Sequence, residues 1–185
     1  MGFHTYDADR AAELDDPERF RHCSAEELLG ALEPTPSATV ADFGSGTGFY
    51  TDVVAAHAGS VYAVDVQPTM HERYRRKGVP ENVTPVAAEV ASLPFSEDAL
   101  DGAFSTMTYH EFANEAALAE VARVLAPGGR LVTVDWTGAG DGDAGPPTDE
   151  RFALGEAVDA AETAGFRTVR ADTRTETFVH VAVCR

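Results

Sequence analysis

The chain has 185 residues, 44% of them hydrophobic, and a formal net charge of −17 at pH 7. Its length suits a single domain spanning 1–185, which we expect to comprise an N-terminal arm with a cap helix at 1–37 and a core at 38–185. The negative charge disfavours nucleic acid as a partner, and no stretch reaches the roughly 18 apolar residues that a membrane-spanning helix needs. The acidic N-terminus has no apolar signal-peptide core, so we expect a soluble, cytoplasmic protein.

The basic residues are unusual, because 13 of the 14 are Arg and only Lys77 is Lys. Many carboxylates with almost no Lys indicate a halophilic, acidic protein, since a hydrated acidic surface stays in solution in concentrated salt and its self-repulsion is screened there. The two cysteines, Cys23 and Cys184, have no metal-binding spacing, and no metal is expected. We expect idle thiols, because a disulfide is disfavoured in a reducing compartment.

In chain order, residues 1–23 form a polar arm with scattered aromatic residues. Ser24 and Glu27 are typical of a capping box and begin a helix that stops before Pro34. From Thr39 onward strands and helices alternate, which indicates a parallel sheet covered on both faces. Strands are predicted at 39–42, 60–64, 83–87, 102–106 and 129–135, and helices at 49–58, 69–77 and 115–125. The last of these helices is expected to be capped by Asn114.

A loop rich in Gly and Asp follows at 137–147, at the edge where open α/β sheets bind ligands. It fits a mobile lid or a plain connector equally well. A helix at about 150–164 and strands near 167–173 and 177–184 complete the chain.

The most informative segment is 40–48, where a short apolar strand leads into a turn containing Gly44, Gly46 and Gly48. Glycine allows positive φ and lets a ligand approach where a Cβ atom would collide. The following helix points its free N–H groups and positive dipole end at this turn. The pattern predicts a nucleotide-like ligand, although such glycines also let a helix pack close to its strand.

The glycine spacing limits the type of nucleotide. The G-x-G-x-x-G dinucleotide fingerprint and the phosphate loop ending in Lys-Ser or Lys-Thr are both absent, which disfavours a dehydrogenase. The pattern is instead acidic-x-Gly-x-Gly-x-Gly from Asp42, and the second strand ends at Asp65. An acidic side chain there can accept two hydrogen bonds from a ribose diol and would repel a 2′-phosphate. Adenosine without phosphate fits best, while Asp65 could instead cap the next helix.

Three further segments follow in order, at 88–95, 98–104 and 125–131. Together with the glycine turn they make the chain similar to class I S-adenosylmethionine-dependent methyltransferases, of the ubiquinone/menaquinone-biosynthesis-like branch that acts on small molecules. The resemblance runs from about residue 40 to 134. It implies an α/β fold with a doubly wound, mostly parallel seven-stranded sheet and an antiparallel C-terminal strand, the Rossmann-like methyltransferase fold. In this family Asp101 is a fold-stabilising residue.

The resemblance also implies S-adenosyl-L-methionine as the cofactor. Asp42 would reach toward the amino group of the methionine part, and Asp65 would hold the ribose hydroxyls. Glu89 stands where the family usually has an Asp that accepts from the adenine amino group; it could also be an ordinary loop carboxylate. The other implied cofactor contacts are Gly44, Ser45, Gly46, Gly48, Val66, Gln67, Val90 and Ser105.

The transferase chemistry requires few catalytic groups, because the sulfonium makes the methyl group electrophilic and the protein mainly aligns the acceptor and excludes water. A general base helps where the acceptor must lose a proton. The catalytic candidates after the fourth strand are His110 and Tyr109, with Glu111 beside them. Asp135 and Trp136 are further candidates where the fifth strand ends. The histidine could instead only pack against or cap the following helix. His71 in the second helix could come close to the adenosine, but a surface role is expected for it.

The expected acceptor is a small, partly apolar molecule, because the candidate lid residues are aromatic: Phe3, Tyr6, Phe20, Tyr109, Phe112 and Trp136. Arsenite methylation is disfavoured, because the cysteines that it needs are missing. The alternative function is non-catalytic binding of S-adenosylmethionine or S-adenosylhomocysteine, as a sensor or assembly factor. Fold and cofactor motifs do not separate these two functions.

Overall fold

A computed structural model describes residues 6–185, and the side chains of all of these except residues 8 and 9. Two 3-10 helices, Ala8–Asp15 and Pro17–Arg21, come first. The α-helices are α1 (Ala25–Leu32), α2 (Phe49–Ala55), α3 (Pro68–Lys77), α4 (Tyr109–Phe112), α5 (Glu115–Val124) and α6 (Leu154–Thr163). The strands are β1 (Thr39–Phe43), β2 (Ser60–Asp65), β3 (Val83–Ala87), β4 (Leu100–Thr106), β5 (Leu125–Trp136), β6 (Phe166–Thr173) and β7 (Thr177–Cys184).

Over residues 6–185 the strands form one seven-stranded sheet in the order β3-β2-β1-β4-β5-β7-β6. The strands β3, β2, β1, β4 and β5 are parallel, whereas β7 runs antiparallel to both β5 and β6. The predicted fold class is confirmed. Successive strands are added to one side of β1 as far as β3, and to its other side from β4 onward. Open α/β sheets form a ligand crevice at the carboxyl ends of the two strands where this order switches, here β1 and β4.

The core consists of apolar layers on both faces of the sheet. Alternation along β1 places Val40 against the face covered by α1, α2 and α3, and Ala41 against the opposite face, which α5 and α6 cover. Strands buried on both faces read as continuous apolar runs. Helices therefore cover the sheet on two sides and leave the carboxyl-terminal edge of the parallel strands for loops.

Several boundaries differ from the sequence-based predictions. Helix α2 ends at Ala55, and α6 begins at Leu154 because 148–150 form a short 3-10 turn. Strand β5 begins at Leu125, which pairs with Leu100 before a register shift, so the Pro-Gly-Gly segment at 127–129 lies within an irregular strand. The short helix α4 was not predicted.

Side-chain hydrogen bonds hold the ends of several helices and strands. The Asn114 Oδ1 atom accepts from the Ala117 N–H at 2.9 Å, which confirms this cap. Ser24 accepts from the Glu27 N–H at 3.1 Å, but the Glu27 carboxylate pairs with Arg174 instead of completing the capping box. Asp101 accepts from the Thr39 N–H at 2.8 Å and so joins β4 to β1.

The N-terminal residues from 6 to 23 pack against the rest of the domain. The Tyr50 hydroxyl donates to the Arg19 and Cys23 carbonyls at 2.9 and 3.1 Å, and Arg174 donates to the His22 carbonyl at 2.6 Å. These bonds hold the segment against α2 and the β6–β7 hairpin. Phe3 lies outside the described residues. No helix within 6–185 is both long and apolar enough to cross a membrane.

Candidate functional site

The glycine turn closes the carboxyl end of β1. The N–H groups of Gly44 and Ser45 donate to the Val64 carbonyl at 2.9 and 3.0 Å, which ties the turn to β2. Gly44, Gly46 and Gly48 have φ values of 79°, 54° and 84°, in the left-handed region that favours glycine. The last of them is the N-cap of α2. The turn therefore presents backbone without Cβ atoms at its three glycines, at the mouth of the crevice.

Protein side chains occupy the space beside two of these glycines. A Cβ atom on Gly44 would overlap Thr108, and one on Gly48 would overlap the Tyr74 ring. A Cβ atom on Gly46 would lie 3.1 Å from Leu14 of the N-terminal segment. Close packing is thus one reason for the glycines at these positions.

Asp65 ends β2 beside this turn. Its two carboxylate oxygens accept from the Gly46 N–H and the Gln67 N–H, each at 2.8 Å. Gln67 is the N-cap residue of α3, so Asp65 closes the turn before the helix and does not itself cap it. Burial raises the pKa of Asp65, although the two backbone N–H groups act in the opposite direction. The carboxylate is held in one orientation on the wall of a cavity.

Three polar atoms near the ends of β1 and β4 are buried and have no hydrogen-bond partner among the described residues: Asp42 Oδ1, Ser45 Oγ and Ser105 Oγ. The other Asp42 oxygen accepts from the Thr51 hydroxyl at 2.6 Å. Burial raises the pKa of Asp42 to about 7. Buried polar atoms are normally hydrogen-bonded. This part of the fold therefore suits a polar ligand or ordered water.

A cavity of about 680 Å³ opens at the carboxyl-terminal edge of the parallel strands. This is within the range of about 300–1,000 Å³ typical of small-molecule sites. Nine of the predicted site residues line it: Gly44, Ser45, Gly46, Asp65, Val66, Gln67, Glu89, Val90 and His110. Asp42, Gly48, Ser105 and Tyr109 lie outside its lining.

One end of the cavity lies between β2 and the segment after β3. Val66 is 46% exposed there, and Glu89 is also exposed, whereas Val90 is buried. The Gln67 amide donates to the Tyr6 carbonyl at 2.9 Å. An apolar side chain and an exposed carboxylate thus line the same end of the cavity.

The other end contains a histidine–aspartate pair. The His110 Nδ1 atom lies 3.0 Å from each Asp135 carboxylate oxygen, and the His110 backbone N–H donates to the same carboxylate at 2.6 Å. Asp135 is fully buried at the end of β5. Burial lowers the pKa of His110, but the hydrogen bond and charge of Asp135 outweigh it and leave this pKa raised. Because Nδ1 is engaged, Nε2 is the ring nitrogen available to a bound molecule.

The neighbours of His110 have different environments. Tyr109 is 3% exposed and packs edge-on against Phe112, Phe152 and Phe178. Burial raises the pKa of its hydroxyl to about 12. Glu111 lines the cavity, and burial raises its pKa to about 7. The structure therefore brings His110 and Glu111 to the cavity and places Tyr109 in an aromatic cluster beneath it.

The N-terminal segment contributes a wall that the sequence did not reveal. Its cavity-lining residues are Tyr6, Arg10, Glu13, Leu14, Arg19 and His22. Arg10 is held by Glu13 through two contacts of 3.0 and 2.8 Å. Asp15 accepts from the Thr47 hydroxyl at 2.9 Å and lies 3.1 Å from Lys77. The scattered aromatic residues were the one sequence signal of this contact with the site.

The loop at 137–147 is attached to the body of the protein by two side chains that were not predicted. Arg151, whose side chain is 1% exposed, lies 3.0 Å from Glu176 and donates to the Pro146 carbonyl at 2.8 Å. Glu176 also accepts from the Asp141 N–H at 3.0 Å. Gly145 packs on Trp136, and both of these residues line the cavity. In this structure the loop forms part of the cavity wall.

Of the aromatic residues expected at the acceptor side, Tyr6, Phe112 and Trp136 line the cavity. The His22 ring contacts the Trp136 ring with centroids 4.7 Å apart. Phe20 packs on Phe49 outside the cavity lining. The expectation for His71 is wrong, because this side chain is 2% exposed and its Nε2 atom has no partner among the described residues. His71 lies on the buried face of α3, together with Met70 and Tyr74.

Comparison with known proteins adds an independent line of information. Residues 41–133 match the family described as methyltransferase domain. An uncharacterised methyltransferase-like protein of Schizosaccharomyces pombe is 36% identical over 93 residues, which are 50% of this chain and 36% of that protein. A demethylmenaquinone methyltransferase of Corynebacterium kroppenstedtii is 33% identical over 107 residues, covering 57% of this chain and 45% of that protein.

Among solved structures, a SAM-dependent methyltransferase from Aquifex aeolicus superposes with a TM-score of 0.89 at 29% sequence identity. The match covers 98% of this chain and all of that one. The chain spans less than half the length of the two curated relatives, so the similarity to them concerns the domain that contains the glycine turn.

Proposed function

Because the chain belongs to the methyltransferase-domain family and S-adenosylmethionine is its cofactor, we propose that it transfers a methyl group to a small-molecule acceptor. The observation that carries the proposal is the His110–Asp135 pair, which lies in the same cavity as the glycine turn and Asp65. A binding protein needs the cofactor half of this cavity, and it does not need a buried carboxylate that orients a histidine.

We propose the following cofactor contacts. Asp65 accepts from the ribose hydroxyls with the lone pairs that Gly46 and Gln67 leave free, since each carboxylate oxygen can accept more than one hydrogen bond. Val66 and Val90 contact the adenine faces, and Glu89 accepts from its amino group. Along the glycine turn the methionine part lies beside Gly44, Ser45 and Gly46, and Asp42, Gly48 and Ser105 act from beneath the cavity lining.

When bound, the cofactor supplies a sulfonium group that makes its methyl carbon electrophilic. The residues at the other end of the cavity then have two tasks. Trp136, Phe112 and Pro146 exclude water and hold an apolar part of the acceptor. His110 Nε2 accepts a proton from the acceptor while Asp135 stabilises the resulting imidazolium, as in other aspartate–histidine pairs. Tyr109 supports this histidine by packing.

The charges in the cavity favour a neutral or cationic acceptor. Five carboxyl side chains line it: Glu13, Asp65, Glu89, Glu111 and Glu150. Two arginines also line it, Arg19 and the Arg10 that is paired with Glu13, so the carboxyl groups outnumber the guanidinium groups. A cavity of one charge sign raises the local concentration of the opposite charge. We therefore propose a partly apolar molecule with an ionisable hydroxyl, carbon acid or amine, in a small-molecule branch of the family, acting in the cytoplasm of an organism adapted to salt.

Methyl transfer can be tested directly in high salt with methyl-labelled S-adenosylmethionine. The acceptor panel would contain phenols, quinol precursors, amines and anionic sugars, each assayed by mass spectrometry. We expect label in a neutral or cationic acceptor, and loss of this label in His110→Gln with cofactor binding retained. Tight cofactor binding without label in any panel member or cell extract would support the sensor function and reject ours.

A further inference from the structure

The N-terminal segment places a guanidinium group over the beginning of α2. Arg19 is in the second 3-10 helix, and its guanidinium carbon lies 5.2 Å from the ring centroids of both Phe49 and Tyr50. These two residues follow Gly48 directly. Arg19 also lines the cavity, together with Gly44, Ser45 and Gly46. The group therefore lies at the end of the cavity formed by the glycine turn.

This guanidinium belongs to a half-buried residue and has no carboxylate at ion-pair distance among the side chains that the structure describes. Its one hydrogen bond within that part of the chain goes from Nη1 to the Leu14 carbonyl at 2.7 Å. Burial lowers its pKa, with Tyr50 and Asp42 acting against this shift. An arginine that is partly withdrawn from water is stabilised by an anionic partner, because a charge that loses solvent without compensation is costly.

The other arginine at the cavity provides a comparison within the same molecule. Arg10 makes two contacts with Glu13, of 3.0 and 2.8 Å, so its fork is already occupied. Arg19 is instead fixed by the two aromatic rings and by Leu14, which leaves other N–H groups of its planar fork for a ligand. Such a fork matches a carboxylate with two parallel hydrogen bonds.

We propose that Arg19 binds the α-carboxylate of the cofactor's methionine part and thereby distinguishes it from cofactor analogues that lack this group. The inference rests on the proposed function, in which S-adenosylmethionine occupies this cavity. An acceptor carboxylate is the less suitable partner, because the acceptor end of the cavity contains Glu111 and Glu150. Leu14 lies beside Gly46, and its carbonyl accepts from Arg19, so the N-terminal segment adjoins the same end of the cavity.

The test compares S-adenosylmethionine with decarboxylated S-adenosylmethionine, which retains the sulfonium and the amine and lacks only the carboxylate. Binding of each compound would be measured by calorimetry in high salt. We expect the unmodified protein to prefer the carboxylated compound by about 10- to 100-fold, the range for charge-assisted hydrogen bonds. Arg19→Gln should remove most of this preference by weakening S-adenosylmethionine alone, with decarboxylated S-adenosylmethionine bound as before.

Arg10→Gln is the matched control, because it removes a cavity arginine that is already paired, and it should keep the preference. Equal binding of the two compounds by the unmodified protein overturns the inference whatever the variants do. A preference that survives in Arg19→Gln also overturns it. If the unmodified protein binds neither compound, the proposed cofactor itself is wrong, and this result is distinct from the other two. Melting temperatures show whether Arg19→Gln remains folded. If it does not, Arg19→Lys replaces it. We expect Arg19→Lys to reduce the preference for the carboxylated compound at least about 5-fold, because lysine lacks the planar fork.

Discussion

His110 and Asp135 are joined at two levels, since the carboxylate of Asp135 accepts from the His110 backbone N–H and also lies 3.0 Å from its Nδ1 atom. One buried carboxylate thus positions both the beginning of α4 and the ring on it. The ring cannot rotate freely without losing this contact, so its Nε2 atom keeps one direction. The pair links the end of β5 to the segment after β4, across neighbouring strands.

His110→Ala should lower the rate of methyl transfer by about 10²-fold or more, the low end for general acid–base catalysis. Cofactor affinity should change little, because the cofactor contacts lie on other elements. Rate, calorimetric binding and melting temperature on the same preparation provide the measurement. His57→Ala, at an exposed histidine, is the control. A parallel fall of stability, binding and rate would indicate a supporting role only, and a fully active variant would reject both roles.

The rate should rise with pH. A general base acts in its neutral form, and Asp135 holds the pKa of His110 above the ordinary value of about 6.5. The rise of the rate with pH should therefore have its midpoint above about pH 6.5. In Asp135→Asn this midpoint should move to lower pH. The charges of Glu111 and Glu150 also raise the pKa of His110. Stability has the opposite trend: the contribution of the pair is complete below the unfolded pKa and is lost as pH rises through the folded one. A pH-independent rate would contradict the base role.

Asp65→Ala should weaken S-adenosylhomocysteine binding by about 1.5–3 kcal/mol, the range for hydrogen bonds to a charged acceptor. The carboxylate also holds the Gly46 and Gln67 N–H groups, so the variant will melt at a lower temperature. An analogue without the ribose 2′-hydroxyl separates these effects, because it should lose less affinity than the complete ligand on this substitution. Glu72→Ala, at an exposed position of α3, should leave binding unchanged. Equal losses for both ligands would remove the ribose role.

Gly44→Ala should destabilise the fold and abolish cofactor binding. The φ value of 79° costs an L-residue about 1–2 kcal/mol, and the new methyl group would also overlap Thr108. Gly30→Ala, in an exposed position of α1 with nothing within 4 Å of its Cβ, should instead stabilise by about 0.5–1 kcal/mol. Thermal and denaturant unfolding measure both variants. A Gly44→Ala protein that is as stable as the parent would show that the turn is not held in the described conformation.

Lowering the salt concentration from molar to millimolar should reduce the melting temperature. With a net charge of −17 the carboxylates repel each other, and this repulsion is screened only at high ionic strength. Sucrose is the control, because it favours compact states without screening charge. A melting temperature that is indifferent to salt, or that responds equally to sucrose, would count against adaptation to salt.

The sequence by itself determined the order of strands and helices, the sheet class and the half of the cavity at the glycine turn. These features are local: Gly44, Gly46 and Gly48 are near each other in the chain, and Asp65 follows directly from the next strand. Strand alternation and glycine spacing are short-range signals, and the physical reasons for them act within a few residues.

Only the tertiary structure decided how the rest of the cavity is closed. The contacts of Arg19 with Phe49, and of Arg151 with Glu176, join residues far apart in the chain, and no periodicity or spacing encodes such pairs. The same is true of His110 and Asp135, which the sequence identified separately and the sheet brought together. His71 and Tyr109 are both buried, and Tyr109 lies outside the cavity lining. The side of a helix that faces the core depends on the elements packed against that helix, so it is decided only in the assembled core.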